Sequence, residues 1–280
     1  MAAGGDGRVL SCCLWGPADG HPLFVLHGSP GSRFLRHPDE VYQRAGARVI
    51  TYDRPGYGGS TRLPGRRVSH AAADVLAIAD QLGLTGFSVC GISCGGPHAL
   101  AVAALAPERV RRCATVVGLG PAGAEGLDFF AGMAEDERRV WEWVRQGEQA
   151  VVDHVLPEFM SLVEGLESGE AAEGLSEWTR HMLAQTFREA FTKGPGGYID
   201  DCLSLLQPWG FEVADVRAPT RIMMASDDEA VPPAHGQWLA RHVPGAELIV
   251  VPGGHLGPHD EEEERVIAWL SHDDGGRASV

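Results

Sequence analysis

Several features that would place a protein in a membrane, an export pathway or a complex with nucleic acid are missing from this sequence. No apolar run approaches the roughly 18 residues that cross a bilayer, and the N-terminal stretch MAAGGDGRVLS lacks a basic region followed by an apolar core. The formal net charge is −15, which disfavours nucleic acid or an anionic membrane surface as a partner. We therefore expect a cytoplasmic protein without a membrane or nucleic-acid partner.

The sequence also lacks the cysteine and histidine patterns of disulfide frameworks and metal sites. Its six cysteines show no paired framework and no CxxC spacing, so we expect free, mostly buried thiols in a reducing compartment. No HExxH pattern is present, and His255, His259 and Asp260 fall on a predicted turn. We expect no metal and no cofactor, and the oligomeric state stays open. The cysteines are Cys12, Cys13, Cys90, Cys94, Cys113 and Cys202.

What the first 120 residues do contain is an alternation of short apolar runs with helical patterns. The runs are rich in β-branched residues and end at glycine or a polar residue, which predicts buried strands. The alternation resumes near residue 218, and strands alternating with helices indicate a parallel sheet covered on both faces. The predicted strands are 22–28, 47–53, 86–93, 111–118, 218–226 and 246–253, and the predicted helices are 69–83, 95–107, 232–243 and 261–272.

Residues 121–211 differ from the rest of the chain because they contain no strand-like run. Amphipathic spacing predicts helices at 135–146 and 175–191, with glycine-rich breaks near 164–174 and at 194–197. The segment has 17 acidic and 6 basic residues, so it carries −11 of the net charge of −15. This charge is interpreted mainly as solvated helix faces.

The chain is therefore predicted to be an α/β protein with a helical insertion. Residues 1–120 and 212–280 form the predicted core domain, and residues 121–211 form a predicted cap. Aromatic side chains in the cap are expected to divide between packing and a substrate pocket, with packing favoured for any single one. They are Phe129, Phe130, Trp141, Trp178, Phe187 and Phe191.

The stretch Gly91-Ile92-Ser93-Cys94-Gly95 joins a predicted strand to a predicted helix. Such a sharp turn lifts a serine hydroxyl above the sheet edge, and glycines on either side avoid clashes that any Cβ would cause. This context predicts that Ser93 is a nucleophile, although a glycine-rich turn with an incidental serine is the alternative. Cys94 is not predicted to react, and Cys90 should share a buried sheet face with Ile92.

A nucleophilic serine needs a base, and the base needs an orienting acid. Asp227 and Asp228 follow one predicted strand, and His255 follows the last strand on a glycine-rich loop. This order, Ser, Asp, His, fits residues that meet at the carboxyl ends of parallel strands. His259 is the competing base and is expected to be a solvated loop residue. His98, His235 and His242 lie in predicted helices and are expected to be surface or packing residues.

At these motifs the chain resembles the α/β-hydrolase superfamily over nearly its whole length. The family's G-x-x-D-x-x-V-P pattern, aligned on Val231-Pro232, implies that Asp228 is the acid, although Ala225 replaces the usual glycine. The stretch His27-Gly28-Ser29-Pro30-Gly31 resembles the HGxPG loop. By this likeness, the backbone N–H groups of Ser29 and Cys94 form the oxyanion hole, and His27 is structural.

The stretch 53–60, DRPGYGGS, resembles the family's D-x-x-G-x-G-x-S loop, whose residues shape the site without doing chemistry. Arg54 could line the pocket, but we favour a structural ion pair. Ser93 replaces the elbow aspartate of epoxide hydrolases and haloalkane dehalogenases, which disfavours both. Tyr198, alone in the cap, also leaves no tyrosine pair to activate an epoxide.

The resemblance implies a cofactor-independent serine hydrolase of carboxylesterase type. It would act through an acyl-enzyme on a small to medium, largely apolar ester or lactone. The catalytic residues would be Ser93, Asp228 and His255. Carbon–carbon bond hydrolysis of a diketone-like substrate is the main alternative. A peptidase of the proline iminopeptidase type and a non-catalytic ligand-binding protein are less favoured, the latter because no triad position is missing.

Overall fold

The computed structural model of the chain describes residues 2–3, 6–170, 175–257 and 259–272. Its centre is a seven-stranded sheet in the order β3-β5-β4-β6-β7-β8-β9, in which only β3 runs antiparallel to its neighbour. β1 and β2 form a separate antiparallel pair. The strands are β1 Ala2–Ala3, β2 Val9–Leu10, β3 Cys12–Trp15, β4 His21–Leu26, β5 Ala47–Tyr52, β6 Phe87–Ile92, β7 Val110–Val116, β8 Thr220–Ala225 and β9 Glu247–Val251.

Helices cover both faces of the sheet. Those before β7 or after β8 are α1 Asp39–Ala45, α2 His70–Gln81, α3 Gly95–Leu105, α9 Pro233–His242 and α10 Asp260–Ser271. Those between β7 and β8 are α4 Glu135–Gln146, α5 Glu148–Ala150, α6 Leu156–Ser168, α7 Glu177–Ala190 and α8 Gly196–Leu205, with a π-helical turn at Val151–Val155 before α6 and a 3-10 turn at Val213–Asp215 after α8.

Side chains along β4 alternate between two hydrophobic clusters, one on each face of the sheet. Leu23 and Val25 point to the face covered by α1 and α10, whereas Phe24 and Leu26 point to the face covered by α2 and α3. All four side chains are buried, which is why residues 23–26 form a continuous apolar run rather than an alternating pattern. Cys90 lies on the face of Leu23 and Val25 together with Ile92, as predicted for Cys90 and Ile92.

The predicted α/β architecture is confirmed, and each predicted strand and helix overlaps an observed one. Three differences concern local structure. α1, α5, α6, α8 and the short strands β1 to β3 were not predicted; β3, for example, has only four residues and is half-exposed. The break predicted from 164 is wrong at its start, since α6 continues through Gly165 to Ser168. The break at 194–197 is also shorter than predicted, since Gly196 begins α8.

The division into a core domain and a cap stays a prediction. Residues 1, 4, 5, 171–174 and 273–280 of the predicted domains lie outside the described residues, as does Pro258. Within the described part of the chain, no helix is long and apolar enough to cross a membrane.

Candidate active site

Ser93 lies on the turn between β6 and α3. Its φ of 54° is in the left-handed region, which is uncommon for a residue with a side chain and is typical of functional turns. A Cβ at Gly91 would overlap the Gly95 carbonyl, and one at Gly95 would overlap the carbonyls of Leu26 and His27. These close approaches explain why glycine stands on both sides of the serine.

His255 and Asp228 reach this turn from the ends of β9 and β8. The Ser93 Oγ lies 2.9 Å from Nε2 of His255, and Nδ1 of His255 lies 2.8 Å from Oδ2 of Asp228. The second oxygen of Asp228 accepts N–H groups from Ala230 at 2.9 Å and from Val231 at 2.8 Å. The buried carboxylate favours a proton on Nδ1, which leaves Nε2 free to accept the serine proton.

The competing acid and base lie elsewhere. Asp227 is exposed and accepts from Ser226 Oγ at 2.9 Å and from the Gly253 N–H at 3.3 Å. His259 was expected to be solvated, but its side chain is only 5% exposed and its Nδ1 lies 2.6 Å from Glu263. The expectation is wrong because the start of α10 encloses this ring beside a carboxylate.

The other predicted helical histidines have structural contacts. His235 is buried, with Nδ1 accepting the Gly120 N–H and Nε2 donating to the Phe129 carbonyl, both at 3.0 Å. His98 is buried and donates from Nδ1 to the Cys94 carbonyl at 2.8 Å. His242 stacks on Trp238. Each has a packing or hydrogen-bonding contact away from Ser93.

Ser29 and Cys94 frame the position in front of Ser93. Both line the same cavity as Ser93, and a Cβ at Gly28 would lie 3.3 Å from Cβ of Ser93. Neither the Ser29 nor the Cys94 backbone N–H donates a hydrogen bond to any residue that the structure describes. The loop contains a cis peptide between Ser29 and Pro30. Two unused donors beside a serine hydroxyl can bind an oxyanion.

A buried polar network lies beneath this loop. His27 donates from Nδ1 to the Gly28 carbonyl at 2.7 Å and accepts the Arg54 backbone N–H at 3.1 Å. Burial lowers the pKa of His27 well below its usual value, so the ring is neutral. The Arg54 side chain forms an ion pair with Asp201 of α8 at 2.5 Å. The sequence suggested an ion pair for Arg54, but nothing in it identified a partner 147 positions away.

The cavity above Ser93 has a volume of about 520 Å³ and lies between the sheet edge and helices α4, α6, α7 and α8. Of the aromatic residues that the sequence suggested for packing or pocket, Trp141 and Phe187 line it, together with Tyr198. Phe159 also lines it, although sequence reasoning did not single it out. The acidic side chains among the described lining residues are Asp136, Glu137 and Glu158.

The thiols near this cavity are buried. Burial raises the pKa of Cys94 to about 12 and the pKa of Cys202 well above its usual value. Both thiols are therefore protonated at neutral pH, which makes them poor nucleophiles. Within the described ranges, no group of three or more histidine, cysteine or acidic side chains could hold a metal ion.

Comparison with known proteins identifies the family. Residues 21–262 match the alpha/beta hydrolase fold family. The chain is 28% identical to rhodomycin D methylesterase DauP of Streptomyces sp. (strain C5), over 91% of each chain. It is 26% identical to the 2-hydroxy-6-oxononadienedioate/2-hydroxy-6-oxononatrienedioate hydrolase of Burkholderia vietnamiensis (strain G4 / LMG 22486), over 81% of this chain and 78% of that protein.

A solved structure with the same fold is the enol-lactonase from Burkholderia xenovorans LB400. The two superpose with a TM-score of 0.69 at 21% identity, over 95% of this chain and 97% of that one. The chain therefore belongs to the alpha/beta hydrolase fold family and is a hydrolase enzyme.

Proposed function

We propose that the protein is a serine hydrolase that cleaves a carboxylic ester or lactone through an acyl-enzyme on Ser93. The observation that carries this proposal is the continuous hydrogen-bonded chain from Ser93 through His255 to buried Asp228, with distances of 2.9 and 2.8 Å. In it the nucleophile has a base within reach, and the base has an orienting acid.

In the acylation step, Ser93 Oγ attacks the substrate carbonyl carbon while its proton passes to Nε2 of His255. Asp228 holds the Nδ1 proton and stabilises the imidazolium that forms. The unused N–H groups of Ser29 and Cys94 donate hydrogen bonds to the carbonyl oxygen as negative charge develops on it. Collapse of the tetrahedral intermediate breaks the bond to the leaving oxygen, which takes the proton from His255.

In the deacylation step, water takes the place of the leaving alcohol. His255 removes a proton from the water, whose oxygen attacks the acyl carbon and re-forms the oxyanion. The carboxylic acid leaves when the bond to Ser93 Oγ breaks and His255 returns the proton to the serine. No metal or cofactor is required for either step.

The cavity supports a small to medium, largely apolar substrate. Its walls are mostly aliphatic and aromatic, and helices from residues 121–211 supply Val140, Trp141 and Phe187 among others. We therefore propose that this segment acts as a cap over the substrate. None of the described lining residues is a lysine or arginine, whereas Asp136, Glu137 and Glu158 are acidic. This charge pattern favours neutral substrates over anionic ones.

The similarity to rhodomycin D methylesterase DauP supports ester cleavage as the first candidate reaction. Carbon–carbon bond hydrolysis is the second candidate, because the chain also resembles a hydrolase named for oxo-dioate substrates. Such dicarboxylates would meet acidic side chains with no lysine or arginine among the described cavity walls. We therefore favour the ester.

Ser93→Ala tests the nucleophile. We expect it to reduce turnover of activated short-chain esters to background and to abolish labelling by a fluorophosphonate probe. Thermal melting should stay near that of the wild type, since the hydroxyl contributes no packing. Retained turnover in Ser93→Ala would contradict the proposal. Absence of both turnover and labelling in the folded wild type would favour a ligand-binding protein instead.

A charge series tests the substrate class. We expect kcat/KM for a neutral p-nitrophenyl ester to exceed that for a matched ester with a terminal carboxylate by about tenfold, because of the acidic walls. Glu137→Gln should narrow this ratio. Glu142→Gln should not, because Glu142 lies on the same helix but is exposed and outside the cavity. A panel of lactones and oxo-dioates measured in parallel distinguishes the ester from the second candidate.

A further inference from the structure

Arg54 is fully buried and its guanidinium binds the back of the loop that carries Ser29. It donates to the His27 carbonyl, to the Gly28 carbonyl at 3.0 Å and to Ser29 Oγ at 3.0 Å. Nε donates to Asp201 at 3.1 Å, and Nη2, which makes the contacts to Gly28 and Ser29, also lies 2.5 Å from Asp201. The planar fork of arginine suits such a set of acceptors, and lysine, with a single ammonium, cannot satisfy it.

The contact at Gly28 sets the direction of the Ser29 N–H. The Gly28 carbonyl and the Ser29 N–H belong to one peptide unit, and in a trans peptide these two groups point in opposite directions. Arg54 and His27 bind the carbonyl on the buried side. The N–H therefore points away from Arg54, toward the cavity that Ser29 lines. Donors on the carbonyl also polarise the peptide and strengthen its N–H as a donor.

We propose that the Arg54–Asp201 pair is a positioning device, by which α8 of the predicted cap fixes the oxyanion-binding N–H of Ser29. This inference rests on the proposed serine hydrolase function and assigns to it two residues that do not touch the substrate. Asp201 also accepts from Ser29 Oγ, so the same carboxylate holds both the arginine and the loop residue.

The charges around Asp201 support the assignment. Arg66 approaches Asp201 at 2.5 Å, so two guanidinium groups share one buried carboxylate. Burial by itself would raise the pKa of Asp201, but Arg54 and Arg66 outweigh it and hold the pKa well below its usual range. The excess positive charge beneath the loop has the sign that stabilises a developing oxyanion.

A neighbouring ion pair supplies a matched control. Asp200 precedes Asp201 on α8 and binds Arg62 at 2.7 Å, so this pair also joins the helix to the segment after β5. It makes no contact with the loop carbonyls at 27 and 28 among the described hydrogen bonds. Both pairs tether α8, but only one reaches the oxyanion loop.

The experiment compares Asp201→Asn with Asp200→Asn. In Asp201→Asn, the amide NH2 would face an arginine donor, so the guanidinium of Arg54 would lose an acceptor and shift. We expect kcat per active site, counted by fluorophosphonate titration, to fall about 10- to 100-fold, with KM within about twofold. An aryl trifluoromethyl ketone, which forms an oxyanion on the serine, should lose affinity by a similar factor. Asp200→Asn should leave all three values near those of the wild type.

Arg54→Lys is the second variant, because Asp201→Asn leaves the two buried guanidinium groups of Arg54 and Arg66 without their carboxylate and is the one more prone to misfold. Arg54→Lys keeps a positive charge next to Asp201, but the lysine cannot bind both loop carbonyls. We expect the same loss of kcat and of ketone affinity in the folded protein.

The proposal is overturned if Arg54→Lys keeps wild-type kcat and ketone affinity. It is also overturned if Asp201→Asn and Asp200→Asn lower kcat equally, since that result would indicate general tethering of α8. A rise in KM with kcat retained would assign the pair to substrate binding. Failure of the proposed function itself would be seen separately, as wild-type turnover that does not depend on Ser93.

Discussion

Two histidines four residues apart, His255 and His259, each pair with a carboxylate, yet only one reaches a nucleophile. Nδ1 of His255 lies 2.8 Å from Asp228, and Nδ1 of His259 lies 2.6 Å from Glu263. The Nε2 of His255 contacts Ser93 Oγ in the cavity, whereas His259 is not among the residues that line the cavity. The acid–histidine pair is therefore common to both, and the group at the second ring nitrogen differs.

The carboxylates differ as well. Asp228 accepts two backbone N–H groups of one loop, and its histidine partner is His255. Glu263 lies between two histidines, His259 and His37, and joins α10 to the loop before α1. Burial by itself would raise the pKa of Glu263, but hydrogen bonds from these histidines lower it to about 2. The arrangement at Asp228 suits proton transfer to a substrate, and the arrangement at Glu263 suits attachment of α10 to the loop before α1.

The largest expected effect separates the two histidines. His255→Ala should lower kcat by at least about 10⁴-fold, because Ser93 loses its base, with little change in melting temperature. His259→Ala should lower kcat less than about threefold and should lower the melting temperature instead. Steady-state kinetics and thermal melting of both variants measure this. Comparable loss of kcat in the two variants would contradict the assignment of His255 as the base.

The next effect separates the adjacent aspartates. Asp228→Asn should reduce kcat about 10³- to 10⁴-fold, because an amide favours the wrong imidazole tautomer. Asp227→Asn should have a small effect, since Asp227 is exposed and the described hydrogen bonds of its side chain are to Ser226 and Gly253. Kinetics of the two variants on one activated ester measure the difference. A larger loss in Asp227→Asn would shift the assigned acid by one residue.

The cluster of Glu263, His37 and His259 should stabilise the folded protein in a defined pH window. The pKa of Glu263 is lowered from 4.5 to about 2, so its contribution is complete above pH 4.5 and is lost as pH falls toward 2. Glu263 raises the pKa of His37 and His259 from 6.5, although burial opposes it. The histidine contribution is therefore complete below pH 6.5 and is lost as pH rises through the folded-state values. The cluster stabilises most between pH 4.5 and 6.5.

Glu263→Gln should accordingly lower the free energy of unfolding by about 2 kcal/mol near pH 5.5, and by less above pH 8. Denaturant unfolding at both pH values measures this. Glu264→Gln is the matched control, because its partner Arg44 is exposed and such pairs contribute less than about 1 kcal/mol. A loss of stability in Glu263→Gln that does not change with pH would contradict the histidine pairing.

The fold and the positions in the chain of the main site residues follow from local sequence patterns. Strand and helix periodicity predicted the parallel sheet, and Gly91 and Gly95 marked the turn at Ser93 because any Cβ there would overlap backbone atoms. The order Ser, Asp, His along the chain indicated which loops meet at one sheet edge. The catalytic roles of Ser93, His255 and Asp228 stay predictions until the variants are measured.

What could not be predicted depends on contacts between distant parts of the chain. The partner of Arg54 lies on α8, whose packing has no signature in the loop that contains Arg54. His259 pairs with Glu263, which also binds His37, a residue more than two hundred positions earlier in the chain. Strand β3 is defined by pairing with β5, because four residues are too few for a periodic pattern.

The smallest expected effect concerns the side chain next to the nucleophile. Cys94→Ala keeps the backbone N–H that we assign to the oxyanion hole, so kcat should fall less than about threefold. Burial raises the pKa of the Cys94 thiol to about 12, so iodoacetamide should alkylate it slowly and leave wild-type activity largely intact. Turnover after timed alkylation, with mass spectrometry to locate the label, measures this. Rapid inactivation that persists in Cys94→Ala would identify another cysteine, with Cys202 at the cavity wall as the first to examine.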